Sequence, residues 1–306
     1  MNDGGKLKRN FISIVIPAHN EEDVIAKAID SVLSSTYKKY EIIVVNNGST
    51  DRTRAIVERY VKKYPQKIRL LNFDLPPMKD FIRKRGPAFS RNRGAEVARG
   101  DILFFLDADE WMIRKTLENT INSFKKYGEI ESIVGNRIIV IQKNWRKIFS
   151  YYWIFRKKFF NRKEKISYGG PFCPYIIKTK KFVELKGFNE AAFYQEDNAL
   201  RIKMEKLKIP KLISSDIICY NDIGSHFRDF KRQCSNTAKS FLVYPFKSIG
   251  ILIQIMMIFL TFPILYLTLL SAFLWRTGDI FVSIFSPFLW VIRRIIEFYY
   301  LIKLSI

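Results

Sequence analysis

The 306-residue sequence predicts an α/β fold, a mostly parallel sheet with flanking helices, followed by C-terminal membrane helices. Strand-like apolar runs alternate with helix-like segments, and the run at 102–106 is short, continuous and apolar, as in strands buried on both faces. The membrane part is predicted by an uncharged stretch at 248–275 that is long enough to cross a hydrocarbon core. We therefore expect a polar tail at 1–10, a globular domain at 11–240 and a membrane-anchoring helical region at 241–306.

The first third of the chain predicts a β-α-β-α-β order. Residues 11–17 are apolar and β-branched, which is typical of a core strand. Asn20 is expected to cap the next helix, with acidic residues in its first turn. A second strand at 41–45 leads through a turn to a helix at 52–64, and a third strand follows at 68–73.

A further helix, from about Pro87 to Arg99, precedes the central strand at 102–106. Gly100 is expected to end this helix as a left-handed cap. Beyond the central strand the pattern is weaker, and the elements expected there are a helix at 114–127 and strands at 132–141 and 210–220. The alternation predicts a doubly wound α/β domain.

Two carboxylates follow the central strand. Asp107 and Asp109 are separated by one residue, and in an extended chain such side chains point the same way, so both can reach one cation. Ligands of open α/β sheets bind at the carboxyl ends of strands. Carboxylate oxygens favour Mg²⁺ or Mn²⁺, ions that suit a diphosphate. The pair predicts a metal site, and an acidic loop without a metal is the alternative.

Charge and cysteine content narrow the class of protein. The formal net charge is +23, which is compatible with an anionic membrane, nucleic acid or small anions as partners. Cys173, Cys219 and Cys234 are scattered and odd in number, so neither a disulfide framework nor a zinc site is indicated. The first ten residues are polar and an apolar strand follows directly, so no signal peptide is expected. The globular part is therefore expected to be cytosolic.

Two segments predict contact with a membrane. After the long uncharged stretch at 248–275, the run at 280–292 is too short to span unaided, so it either completes a hairpin or lies in the interface. Residues 145–165 mix aromatic and basic side chains, as in helices that lie on anionic membranes, and a solvated basic face is the alternative. We expect a membrane protein with its globular domain on the cytoplasmic face.

Four ordered motifs, at residues 14–22, 44–51, 90–94 and 105–109, resemble those of the family 2 glycosyltransferases. Members of that family are inverting, nucleotide-sugar-dependent enzymes with the GT-A fold, a Rossmann-like sheet with flanking helices. The resemblance continues to a later Gly-Phe-Asn-Glu motif, a Glu-Asp pair and a histidine, and covers about residues 11–240.

The resemblance implies a donor site and a metal site. It assigns to donor binding Pro17, Ala18, Asn20, Glu22, Asn47, Arg91, Asp107 and Arg228. It assigns Asp109, Asp107 and His226 to Mn²⁺ or Mg²⁺. This chain has asparagine at Asn46 and Asn47 where the family often has aspartate, and an amide both donates to and accepts from a base. Plain turn chemistry is the alternative for this asparagine pair.

The resemblance also implies the catalytic residues. Asp197, next to Glu196, would be the general base that takes the proton from an acceptor hydroxyl as the hydroxyl attacks the anomeric carbon. From the residues alone, an acidic first turn that stabilises a helix dipole is the alternative. Arg93 is equally compatible with a phosphate clamp and with a solvated face.

Together these features predict a membrane-anchored inverting glycosyltransferase. It would move a sugar, most favourably from a UDP-sugar, to the hydroxyl of a lipid-linked or glycan acceptor held at the membrane. A polyprenyl-phosphate sugar synthase, whose acceptor is a phosphate, is the alternative within this class. A basic protein that binds nucleic acid or lipid without catalysis is the alternative outside it. No nucleic-acid-binding motif supports that second alternative, so we expect membrane lipids and no nucleic acid as partners.

Overall fold

A computed structural model describes the elements of the predicted globular domain. The chain divides into two compact units, one of residues 1–138 with 161–221 and one of residues 139–160 with 222–306. The residues that the structure describes belong to the first unit, except for residues 139–140 and four isolated positions near the C-terminus. The described residues are 9–74, 86–140, 164–168, 175–190, 196–221, 292, 295, 296 and 299.

Strands and helices alternate along most of the first unit. The strands are β1 (Ile12–Ala18), β2 (Tyr40–Asn47), β3 (Ile68–Phe73), β4 (Ile102–Phe105), β5 (Glu110–Met112), β6 (Ser132–Ile139), β7 (Lys165–Ser167), β8 (Tyr175–Lys178) and β9 (Lys211–Asn221). The helices are α1 (Ile25–Leu33), α2 (Thr53–Lys63), α3 (Pro87–Glu96), α4 (Thr116–Lys126), α5 (Thr179–Glu184) and α6 (Glu196–Lys206).

The strands form one mixed sheet in the order β3-β2-β1-β4-β8-β6-β9-β5, with β7 paired to β9. The four strands β3, β2, β1 and β4 are parallel. β8 then runs antiparallel to both β4 and β6, and β9 runs antiparallel to β5 and β7. The expected mostly parallel sheet is therefore corrected to a mixed one. Antiparallel strands need no crossover helix, which allows short strands to extend the sheet beyond β4.

The parallel half of the sheet is covered on both faces. Alternate residues of β1, β2 and β4 belong to two separate hydrophobic clusters: Ile14, for example, lies in one cluster and Val15 in the other. α1, α2 and α4 contribute to the first cluster, and α3, α5 and α6 to the second. A strand buried on both faces must be apolar at every position, which is why the run at 102–106 is continuous.

Two glycines allow α3 and the chain after it to approach β1 closely. A Cβ at Gly94 would lie 2.3 Å from a methyl group of Val15, and one at Gly100 would lie 2.6 Å from the backbone nitrogen of Ser13. Gly100 is not among the glycines with a positive φ, and α3 already ends at Glu96, so the expected left-handed cap is wrong. Gly100 is required for space rather than for backbone conformation.

A buried carboxylate, that of Glu41, links β1, β2 and two arginines at the end of the sheet where β1 and β2 begin. Glu41 has 1% of its side chain exposed and accepts a hydrogen bond of 2.7 Å from the Ser13 hydroxyl. It also pairs with Arg69 at 2.8 Å and with Arg99 at 3.0 Å. Burial alone would raise the pKa of Glu41, but the hydrogen bonds from Ser13 and Arg99 and the charge of Arg69 hold it below its ordinary value.

Within the described ranges, the structure contains no helix that is long and apolar enough to cross a membrane. The segments predicted to contact a membrane lie outside those ranges, except for residues 164–165 and isolated positions such as Ile292. The C-terminal membrane helices therefore stay a prediction.

Candidate active site

The loops that follow β1 and β2 are bonded to each other. Asn20 has a φ of 57°, and its Oδ1 accepts a hydrogen bond of 2.8 Å from the backbone nitrogen of Thr50. Glu22 accepts hydrogen bonds from the backbone and side chain of Arg52, at 3.0 and 2.9 Å, and these hydrogen bonds lower its pKa. α1 begins only at Ile25, so the expected cap by Asn20 is wrong. Asn20 instead joins the two loops, using the left-handed conformation that asparagine tolerates.

The end of β2 presents a layer of amides at the same edge of the sheet. Asn46 and Asn47 are both buried, with exposures of 1% and 6%. The Asn46 amide donates a hydrogen bond of 2.6 Å to Oδ1 of Asn72 on β3, and its oxygen accepts a short hydrogen bond from Ser49. Both polar ends of Asn46 are thus used within the protein. Asn47, which the resemblance assigns to the donor, follows Asn46 at the end of β2, and its backbone carbonyl oxygen lies 2.8 Å from Nδ1 of His19.

Pro17 and Ala18 end β1 beside these loops. They pair in register with Val45 and Asn46 of β2, and Ala18 is buried with 3% exposure. Ala18 is the last residue of β1 and so lies at the carboxyl ends of the parallel strands, where ligands of open α/β sheets bind. The predicted donor residues of β1 and β2 therefore lie at one edge of the sheet.

Asp107 lies just beyond β4 and is held by two arginines. Its Oδ1 accepts a hydrogen bond of 2.7 Å from Arg91 of α3, and its Oδ2 accepts one of 2.9 Å from Arg137 of β6. Each arginine side chain is only 14% exposed. Burial alone would raise the pKa of Asp107, but the charges of Arg91 and Arg137 outweigh it and hold the pKa well below the ordinary value. Asp107 is therefore ionised throughout the neutral range.

Glu110 also contacts this group, and its side chain is fully buried. It contacts Arg137 through a short ion pair, and its other oxygen accepts from the backbone nitrogen of Asp107 at 3.4 Å. Burial raises the pKa of Glu110 above its ordinary value; Arg137 opposes this rise and the neighbouring aspartates add to it. Arg137 thus contacts two carboxylates, those of Asp107 and Glu110, and these contacts hold its guanidinium in place.

The sequence did not single out Arg137 or Glu110. Arg137 is 30 residues from Asp107 in the chain, and only the placement of β6 within the sheet brings the two together. Glu110 directly follows the Asp107–Asp109 motif, so the presence of a third carboxylate next to the pair is visible in the sequence.

Asp197 lies in the first turn of α6, as the amphipathic pattern predicted. The side chain is half-buried, and α6 packs onto the core through Leu200 and Met204, whose exposures are 3% and 1%. Glu196 begins the same helix. His226 and Arg228 lie outside the described residues, so their predicted roles stay predictions.

The residues at this edge fit a divalent cation that arrives with a diphosphate. Among the described residues, no group of three or more His, Cys, Asp and Glu side chains is arranged to hold a metal by itself. Mg²⁺ is usually bound through one or two carboxylates together with substrate phosphates. Asp109 is placed two residues beyond the Arg-bound Asp107, and its carboxylate oxygens are the ligand type that such an ion prefers.

The chain matches the family described as "Glycosyl transferase family 2" over residues 13–181. The chain belongs to glycosyl transferase family 2. The matched region contains the amide layer, Asp107, Asp109, Glu110 and both arginines, whereas Glu196 and Asp197 lie beyond it.

Curated relatives of this family 2 chain include enzymes that act on undecaprenol-linked sugars. A GalNAc(5)-diNAcBac-PP-undecaprenol beta-1,3-glucosyltransferase of Campylobacter jejuni is 27% identical over 64% of this chain and 60% of its own length. A UDP-Glc:alpha-D-GlcNAc-diphosphoundecaprenol beta-1,3-glucosyltransferase of Escherichia coli is 32% identical over 42% of this chain and 49% of its own. The chain thus spans no more than three fifths of either relative.

Solved structures show the same fold. S. aureus TarS (residues 1–349) in complex with UDP has a TM-score of 0.55 and 20% identity, covering 76% of this chain and 65% of that one. The mannosyltransferase PcManGT from Pyrobaculum calidifontis, in complex with GDP-Man and Mn²⁺, has a TM-score of 0.61 and 17% identity, covering 95% of this chain and 86% of that one. The expected GT-A fold is confirmed.

Proposed function

We propose that this family 2 chain is an inverting glycosyltransferase that moves a sugar from a UDP-sugar to a hydroxyl of a lipid-linked glycan. The observation that carries the proposal is Asp107, fixed between Arg91 and Arg137 at the carboxyl ends of the parallel strands. Two anchored guanidiniums there can bind the diphosphate of a donor, because their planar donors match phosphate oxygens. The amide layer on β2 and β3 lies at the same edge, where a base would be read.

The chain's own residues account for each step of transfer. Asp197 accepts the proton of the acceptor hydroxyl, and the oxygen attacks the anomeric carbon from the side opposite the diphosphate. The new C–O bond forms as the bond to the diphosphate breaks, and the nucleoside diphosphate leaves with the electron pair. One displacement inverts the anomeric centre and needs no covalent enzyme intermediate. A divalent ion bound at Asp109 would neutralise charge on the leaving diphosphate.

Names of relatives supply the donor and acceptor classes. The relatives described above are glucosyltransferases for undecaprenol-linked sugars, one of them with UDP-glucose as donor, and UDP and Mn²⁺ are bound in structures with the same fold. A lipid-linked acceptor is held at a membrane. It therefore fits the membrane anchor at 241–306, the basic aromatic segment at 145–165 and a catalytic domain on the cytoplasmic face, all of which we propose from the sequence.

A donor panel tests the proposal. UDP-, GDP- and dTDP-sugars are incubated with the protein, Mn²⁺ or Mg²⁺ and an undecaprenyl-diphosphate-linked sugar, and the product is followed by mass spectrometry. We expect transfer from a UDP-sugar that stops when excess EDTA is added. A lack of transfer from every donor, or full transfer in EDTA, would contradict the proposal.

A further inference from the structure

Asn92 of α3 holds the segment at 187–190 by three hydrogen bonds. Its amide nitrogen donates to the carbonyl oxygen of Phe188 and to Oε1 of Glu190, both at 2.9 Å. Its Oδ1 accepts from the backbone nitrogen of Phe188, also at 2.9 Å. The side chain therefore satisfies both backbone groups of one residue in a distant segment, which fixes the position and the orientation of that segment.

The backbone at Gly187 is adapted to this contact. Gly187 has a φ of 63°, and a Cβ there would lie 2.7 Å from Oδ1 of Asn92. Glycine is thus required for its conformation and for the close approach of Asn92. The neighbouring Arg93 adds an ion pair of 2.9 Å to Glu190.

The same segment shares a buried cluster with the helix that carries Asp197. The ring of Phe188 lies in one buried cluster with Leu200 and Met204 of α6. Tyr175, whose ring contacts that of Phe188, donates its hydroxyl to the sulfur of Met204 at 3.1 Å. A shift of Phe188 would therefore be passed to α6 through packed side chains, because close-packed interiors transmit strain.

α3 is also bonded to the donor half of the site. Arg91 binds Asp107 at 2.7 Å, and its guanidinium lies 5.7 Å from the centre of the Phe188 ring. Adjacent residues of one helix thus contact Asp107 and the segment that is linked to α6 through this buried cluster. We infer that Asn92 is a positioning residue, which sets the place of Asp197 relative to the bound donor by fixing Phe188 and Glu190 to α3.

This inference rests on the proposed function, since it requires Asp197 to be the base. Asn92→Asp keeps the acceptor for Phe188 but places an oxygen against the Phe188 carbonyl and Glu190. A displacement of about 1 Å at a catalytic group can cost about a hundredfold in rate. We expect Asn92→Asp to lower the single-turnover rate of transfer by about ten- to a hundredfold, with UDP affinity changed less than about threefold.

A double-mutant cycle separates positioning from general damage. If Asn92 acts through Asp197, Asn92→Asp should cost less than about twofold when Asp197→Asn has already removed the base. Adding Glu190→Gln to Asn92→Asp should recover part of the rate, because the new amide can donate to the new carboxylate. Asn119→Asp is the matched control, since Asn119 of α4 likewise donates its amide to a backbone carbonyl, that of Asp216, at 2.8 Å. It should leave the rate unchanged.

Two results would overturn the inference. One is an unchanged rate for Asn92→Asp, and the other is an equal loss in the wild-type and Asp197→Asn backgrounds, which would mean that Asn92 only supports folding or donor binding. A wild-type rate for Asp197→Asn alone would overturn the base assignment of the proposed function together with the inference.

Discussion

The two aspartates after β4 have different surroundings, so they should respond differently to substitution. The resemblance assigns both aspartates to the metal, but both oxygens of Asp107 already accept from arginines, so we propose that Asp109 is the main metal ligand. Substituting a residue that only hydrogen-bonds to a metal ligand typically lowers metal affinity about 10- to 100-fold, so substituting a ligand itself should cost at least as much. Asp109→Asn should therefore raise the Mn²⁺ concentration for half-maximal turnover by at least about tenfold.

Asp107→Asn is the comparison. It removes the charge that holds Arg91 and Arg137, so it should weaken binding of the UDP-sugar while leaving the Mn²⁺ requirement within about twofold. Titrations of activity with Mn²⁺ and with donor measure both effects. The assignment fails if Asp107→Asn, rather than Asp109→Asn, shifts the metal requirement.

Residues next to strand ends were accessible to sequence reasoning, and residues joined only by the sheet were not. Asp107 and Asn47 follow apolar runs, so their place at the edge of the sheet follows from the run itself. Arg137 reaches Asp107 only because β6 is inserted between β8 and β9. The order of strands in the sheet depends on tertiary packing, so it cannot be predicted from the local pattern of residues in one sequence.

At the scale of elements, the buried carboxylate on β2 should contribute measurably to stability. Glu41 accepts hydrogen bonds from Ser13 and from two arginines, and hydrogen bonds to charged groups contribute about 1.5–3 kcal/mol each. Glu41→Gln should lower the free energy of unfolding at pH 7 by about 2 kcal/mol, measured by urea denaturation. Glu58→Gln, in an exposed pair with Arg54, should change it by less than about 0.5 kcal/mol.

The pH dependence of the Glu41 effect has a fixed sign. The folded-state pKa of Glu41 lies below its ordinary value of 4.5, so its stabilisation is present above pH 4.5 and is lost as the pH falls through the folded pKa. The difference between wild type and Glu41→Gln should therefore shrink on acidification below pH 4.5. A difference that grows towards low pH would contradict this account of the network.

Elements with a clear periodic or continuous apolar pattern matched their predictions, and several short elements without such a pattern were missed. β3 occupies the predicted range, and α2 and α4 lie within theirs. β5, β7 and β8 have three or four residues each, too few for a hydrophobic period to be visible. Because these strands supply antiparallel pairs, missing them produced the incorrect expectation of a mostly parallel sheet.

For the whole molecule, the strands of the described sheet all precede residue 222. A chain ending at residue 240 should therefore fold and bind UDP, which circular dichroism and calorimetry would measure. Its association with anionic vesicles should weaken without disappearing, because the basic aromatic segment at 145–165 remains. Truncated protein that does not bind such vesicles at low salt would contradict membrane contact by that segment.

The charge of the whole molecule is consistent with this arrangement. A net charge of +23 is large for a catalytic domain that binds one diphosphate, and the proposed contact with an anionic membrane surface accounts for it. That contact was predicted from composition, and the segments concerned lie almost entirely outside the described residues.

The most direct test of the central claim is the single-turnover rate of transfer by wild type and Asp197→Asn, measured together with UDP affinity. A hydroxyl acceptor needs a base, which typically contributes about 10²- to 10⁴-fold, whereas an ionised phosphate acceptor needs none. The account predicts a loss of that size in Asp197→Asn with unchanged UDP affinity. A loss of less than about tenfold would contradict it and would favour a polyprenyl phosphate as the acceptor.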